Sequence, residues 1–146
     1  MKGGTYMNKR TQTSGFTIIE VVLVLAIAAL IFLMIFVALP ALQRGQRDTA
    51  RKNDVGTIAS AVSTYRSNNR NQLPAATADL DSYLDELAQI STVTVTDTGG
   101  TEAINEDAAK IYTGMECNGT DAQDGGPRDA AVRAFIENGD VYCQDV

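Results

Sequence analysis

Three sets of side chains in this 146-residue chain are of types that do chemistry: one carboxylate in an apolar setting, two cysteines, and a short acidic stretch. Glu20 directly precedes Val21–Leu39, in which every residue is apolar. Cys117 and Cys143 lie far apart in the last third, and Asp121, Asp124 and Asp129 fall between them. The sequence contains no histidine, which excludes Cys–His nucleophilic catalysis and leaves a zinc centre without a ligand set, since neither cysteine has a CxxC partner. The acidic stretch lacks the D-x-[DN]-x-[DN]-G spacing of an EF-hand loop, so it reads as a solvated turn and no metal is expected there. Asn118-Gly119-Thr120 matches the acceptor tripeptide for N-linked glycans. With no nucleophile–base set and no glycine-rich phosphate loop, the chain is not expected to be an enzyme, nor to hold a cofactor.

The carboxylate is the most specific of these features. Nineteen helical residues, Val21 to Leu39, span about 28 Å, close to the hydrocarbon thickness of a bilayer. A Glu at the rim of such a segment carries a penalty of a few kcal/mol and needs a partner. One partner is local: Thr17 as N-cap and Glu20 three residues on form the pattern of a capping box. The other reading comes from the whole junction. Gly15-Phe16-Thr17-Ile18-Ile19-Glu20, placed before a membrane-length apolar run, resembles the processing signature of type IV pilins and pseudopilins.

That resemblance implies a prepilin. Residues 1–15 would be a cytoplasmic leader, cut by prepilin peptidase between Gly15 and Phe16, and Phe16 would then be N-methylated at its new amino terminus. Glu20 would pair with the N-terminal amine of a neighbouring subunit during assembly. Such a pair is strong in a low-dielectric bundle, where either charge alone is expensive to bury. The chain departs from the family in having Ser14 before the glycine, a long leader that Met7 as start would shorten, and Pro40 slightly further along the helix. A cleaved secretory signal peptide fits less well, because its apolar region is 7–15 residues and Pro40 spoils the small-residue exit around Ala38–Ala41. Basic residues flank the apolar run on both sides, with Lys2, Lys9 and Arg10 before it and Arg44, Arg47, Arg51 and Lys52 after. Charge therefore does not set the orientation.

The rest of the chain must supply one small domain. Its charge is uneven: Ala41 to Arg70 holds six basic and two acidic residues, whereas Asn71 to Val146 holds three basic and fifteen acidic. An acidic head repels phosphates, so no nucleic acid is expected there. Beyond Pro40, where a kink is expected, Val55, Ile58, Ala59, Val62 and Tyr65 make one apolar helical stripe. Asp48 and Arg51 share that face, so the head is expected to grip the helix only from about Val55. Asn68 to Asn71 and then Pro74 end the helix. The head itself reads as α+β, with a short helix over Asp79–Ile90, strands over Thr92–Thr96 and Lys110–Cys117, and a loop over Cys117–Arg128. Asn138-Gly139 between apolar runs predicts a closing hairpin with a two-residue turn, pairing Phe135 with Tyr142 and Ile136 with Val141.

The whole is thus expected to be a pilin-like α+β fold, a long N-terminal helix packed on a small antiparallel sheet. Its parts would be a leader (1–15), a transmembrane or filament-core helix (16–39), an amphipathic continuation (40–70) and a globular head (71–146). With the head outside the cytoplasm, a Cys117–Cys143 disulfide is the natural reading; two buried free thiols are the alternative. The resemblance favours the bridge, since type IV pilins commonly carry one near the C-terminus. The function it implies is that of a structural pilus subunit, held as a single-pass protein of the cytoplasmic membrane and then assembled at the cell surface. Its partners would be prepilin peptidase, other pilin subunits, the assembly platform and ATPase machinery, and membrane lipid. A pseudopilin of a secretion or DNA-uptake machine is the alternative, and a membrane-anchored binding domain ranks below both.

Overall fold

Helix α1 runs from Ile18 to Asn68 and includes Pro40. The computed structural model describes residues 15–84, 87–137 and 139–146. The chain divides into two compact units, one ending at Leu39 and the other running from Pro40 to Val146, and α1 contributes to both. In the first unit the aliphatic residues leave nothing to interrupt a helix, and α1 is long and apolar enough there to cross a membrane. Its large side chains are exposed all round, from Ile18 and Leu23 to Phe36 and Leu39. A helix apolar on every face has no water-facing side and calls for an apolar environment.

In the second unit, α1 supplies the predicted stripe. Val55, Ile58, Ala59 and Val62 are buried, and the partly buried Tyr65 packs beside them. Full burial of Val55, Ile58 and Val62 contributes roughly 1.5–3 kcal/mol each. The helix stops where the asparagines take over. The Asn71 N–H donates to Arg66 O at 2.8 Å, and Arg70 and Asn71 adopt left-handed backbone, with φ of 55° and 64°.

The stripe packs on a four-stranded sheet of order β1-β2-β5-β6, formed by β1 (Thr92–Thr96), β2 (Ala108–Thr113), β5 (Ala130–Ile136) and β6 (Asp140–Asp145). β3 (Met115–Asn118) and β4 (Asp121–Asp124) form a separate two-stranded sheet. Ala130, Val132 and Ala134 of β5, with Ala109 and Ile111 of β2, join Val55, Ile58, Ala59 and Val62 in the main core. Ala131 instead joins Tyr112, Met115 and Ala122 in a second cluster. β5 therefore has core on both faces, which suits its nearly unbroken apolar run.

The α+β class stands, with four corrections to its detail. The main sheet is mixed rather than antiparallel, because residues 97–107 return the chain so that β2 lies parallel to β1. The described part of Asp79–Ile90 contains only a 3-10 turn, Thr77–Leu80. There the Asp79 carboxylate accepts the N–H groups of Ala75 and Ala76 at 2.8 and 3.0 Å, an alternative to helical pairing that short polar side chains offer. The predicted strand Lys110–Cys117 breaks at Gly114, and the predicted loop Cys117–Arg128 contains hairpin β3–β4. Its two-residue connection carries Gly119 at positive φ in first place, as a type II′ turn requires.

The closing hairpin exists, but its register is one residue off the predicted one. Ala134 faces Tyr142, Phe135 faces Val141 and Ile136 faces Asp140. Its loop is three residues long, with the Gly139 N–H donating to Ile136 O at 3.1 Å and Gly139 at φ +81°. A turn followed by a left-handed glycine is the usual three-residue hairpin loop. Asn138, on which the two-residue turn was predicted, lies outside the described residues, as do residues 1–14 of the expected leader.

Candidate functional site

Gly15, Phe16 and Thr17 precede the first helical residue and are exposed, Phe16 at 88 %. The capping box is formed. Glu20 Oε2 accepts the Thr17 N–H at 3.1 Å and the Thr17 hydroxyl at 2.9 Å, while the Glu20 N–H points back to Thr17 Oγ1 at 3.4 Å. Every one of these groups is exposed. Among the described residues the carboxylate is thus held at the helix start by local bonds alone, and its sequence neighbours Phe16, Ile18, Ile19 and Val21 are exposed. Nothing in that arrangement is catalytic. It is an exposed carboxylate on an apolar surface.

In the second unit Cys117 and Cys143 form a disulfide with a Cα–Cα distance of 5.8 Å. The bond fastens β3 of the small sheet to β6 of the main one. Beside it, Asp145 Oδ1 accepts the Cys117 N–H at 2.6 Å, so the same two strands are linked twice. Of the acidic residues, Asp121 pairs with Arg133 at 3.1 Å and Asp129 accepts the Gly126 N–H at 2.6 Å. Among the described residues no group of acidic or sulfur ligands is placed to hold a metal ion.

Sequence reasoning missed the polar centre of this unit. Arg133, in the middle of β5, is only 2 % exposed. It donates through Nε to Thr120 O at 2.8 Å, through Nη2 to Asp121, and through Nη1 to the Tyr112 hydroxyl at 3.3 Å and Glu102 O at 3.4 Å. Tyr112 in turn donates to Glu102 Oε1 at 2.8 Å, an oxygen that also faces Lys110 Nζ at 3.0 Å. The Gly100 N–H fills Oε2 at 2.6 Å. Partial burial works to raise the Glu102 carboxyl, but the bonds from Gly100, Tyr112, its own backbone N–H and Lys110 outweigh it and hold it at about 2. Burial, together with the bond to Glu102, pushes the Tyr112 hydroxyl up to about 12 against the opposing pull of Arg133. The signal was present in the sequence: one arginine inside an apolar strand must find partners or be expelled.

A second missed set lies on α1. Asp54 is 5 % exposed and accepts three backbone N–H groups, from Ala88, Gln89 and Ile90, at 2.9, 2.6 and 3.0 Å. Nearer Pro40, the Glu137 carboxylate binds Arg47 at 3.0 Å and Arg51 at 3.4 Å, and Asp48 accepts the Glu137 N–H at 2.6 Å. Arg51, only 6 % exposed, also lies over the Phe135 ring at 5.4 Å, a contact that favours a guanidinium removed from water. The expectation that the head grips the helix only from Val55 is therefore corrected. Asp48 and Arg51 do interrupt the apolar stripe, but both bind Glu137 in the β5–β6 connection, Arg51 at its carboxylate and Asp48 at its backbone N–H.

Compared with known proteins, the chain matches no family model, no curated protein and no solved structure.

Proposed function

We propose that the chain is a structural subunit of a type IV pilus-like filament, cut after Gly15, N-methylated at Phe16 and assembled through the helix that follows. The observation that carries this reading is the junction itself. A Gly-Phe-Thr-Ile-Ile-Glu run stands at the start of a helix that is apolar on every face, and among the described residues its one carboxylate is exposed and bound only by Thr17. A membrane accommodates the apolar faces before assembly, and neighbouring copies of the same helix replace it afterwards. In a bundle of such helices Glu20 lies within reach of a second copy's amino terminus and gains a charged partner that Thr17 does not offer. The disulfide supports the same reading, since such bonds persist in oxidising compartments.

The test is the amino terminus of protein extracted from membranes or sheared filaments. Edman degradation or intact mass should give a chain beginning at Phe16, heavier by one methyl group. A mature start beyond Leu39 would replace this reading with that of a secreted domain.

A further inference from the structure

Hairpin β3–β4 carries a feature that neither assembly nor the disulfide uses. Of the eight asparagines in the chain, Asn118 alone is followed two positions on by a hydroxyl residue with a non-proline between. The fold presents this tripeptide at a tip. Asn118 is the last residue of β3, Asp121 faces it across the pair, and Gly119 and Thr120 form the whole connection. All three residues of the tripeptide are exposed. Among the described residues, no atom beyond the adjacent Asn118 and Thr120 lies within 4 Å of where a side chain at Gly119 would begin, so the tip is open on that side. Among the described residues the Asn118 side chain makes one hydrogen bond, donating Nδ2–H to the Oε1 of exposed Gln123 at 2.9 Å. Thr120 is held to the core by its carbonyl, which accepts from Arg133, and not by its hydroxyl.

We infer that Asn118 is the acceptor of an N-linked glycan. Such tripeptides act as acceptors on surface loops of exported proteins, and a two-residue turn displays both the amide and the hydroxyl. The co-substrate is a polyprenyl-diphosphate-linked oligosaccharide. Asn118 Nδ2 forms a bond to the anomeric carbon, the bond from that carbon to the diphosphate oxygen breaks, and the polyprenyl diphosphate leaves. One amide proton passes to a base of the transferase, and the remaining Nδ2–H still serves Gln123. The site lies on the small sheet, away from the core that α1 makes with the main sheet, so the saccharide disturbs no packing on α1. This inference rests on the head being carried out of the cytoplasm.

Protein should be purified from the cells that produce it, digested with trypsin and reduced, and the peptide Ile111–Arg128 examined by mass spectrometry. In the majority of molecules this peptide should be heavier by a saccharide and give sugar fragment ions. Asn118→Gln and Thr120→Ala should abolish the added mass and Thr120→Ser should retain it, all with Cys117 and Cys143 still bridged. Bridged wild-type protein with bare Asn118 overturns the glycan and leaves the export reading standing. Free thiols together with bare Asn118 overturn both. A saccharide that persists on this peptide in both Asn118→Gln and Thr120→Ala overturns the assignment to Asn118.

Discussion

The two ends of α1 solve opposite problems with the same backbone. Up to Leu39 the helix is apolar all round and its one charged residue, Glu20, is bound, among the described residues, only to its own first turn. Beyond Pro40 the helix has a narrow apolar stripe, and its buried charges, Arg51 and Asp54, are answered by groups distant in sequence. Asp54 is complete within the chain, whereas Glu20 is complete only in a capping sense. A helix that finishes its business inside one molecule and a helix that leaves it open imply different dependence on surroundings. The second unit should be stable by itself, and the first should be defined by what it inserts into.

The sharpest way to break this contrast is Glu20→Ala. Removing one member of the ion pair proposed for Glu20 in the assembled filament would cost about 3–5 kcal/mol, so on that reading filament yield should fall by more than about tenfold. Cleavage at Gly15 and the denaturant midpoint of the second unit should not change. Sheared filaments and membrane-retained subunit, quantified in parallel, measure this; normal filament yield would leave capping as the whole role of Glu20. Next in size is the disulfide. Its closure of a sequence separation of 26 is worth about 3.5 kcal/mol by the chain-entropy estimate, so Cys117→Ser with Cys143→Ser should lower unfolding free energy by that order in a urea melt.

Asp54→Ala should follow, with a loss of roughly 2–3 kcal/mol, because it strands backbone N–H groups of Ala88, Gln89 and Ile90. Faster hydrogen exchange confined to those amides would be its signature, and unchanged exchange would remove the contrast with Glu20. The smallest effect is the pH dependence carried by Glu102. Its carboxyl is lower in the fold than its ordinary 4.5, at about 2, so its contribution is present above pH 4.5 and is lost as pH falls from there towards 2. Tyr112, raised from 10.0 to about 12, contributes below pH 10 and loses that contribution as pH rises towards 12. Glu102→Gln should flatten the acid side of the stability–pH profile of the second unit, and an unchanged profile would show that this network does not titrate with folding.

Periodicity read well wherever one face alone was buried. The stripe from Val55 to Tyr65 and strand β1 follow from it, while the existence of the closing hairpin followed from its turn residues. It failed where a few polar atoms decide. Asp79 turned a helical pattern into a 3-10 turn, and Asn-Gly was taken for the whole loop although Glu137 also belongs to it, shifting the pairs by one. Hairpin β3–β4 was hidden because its strands are only four residues each and carry one or two inward residues apiece, Met115 and Cys117 on β3 and Ala122 on β4, while the disulfide and Arg133 tie it to the rest of the unit. The capping box at Thr17 and Glu20 was legible from spacing alone, since all its atoms come from one turn. The partners of Arg133 and Asp54 were not, because they come from segments that only the fold brings together.

The bond between Cys117 and Cys143 also has a mechanical meaning. A chain pulled from its two ends can lengthen only by the residues outside the closed loop, and all of β4 and β5 with most of β6 lies inside it. At about 3.4 Å per extended residue the loop withholds roughly 80 Å of contour from any stretching force. The head can therefore shed α1 and its first strands under load while its centre keeps a fixed length, which makes the disulfide a limit on how far one molecule can extend.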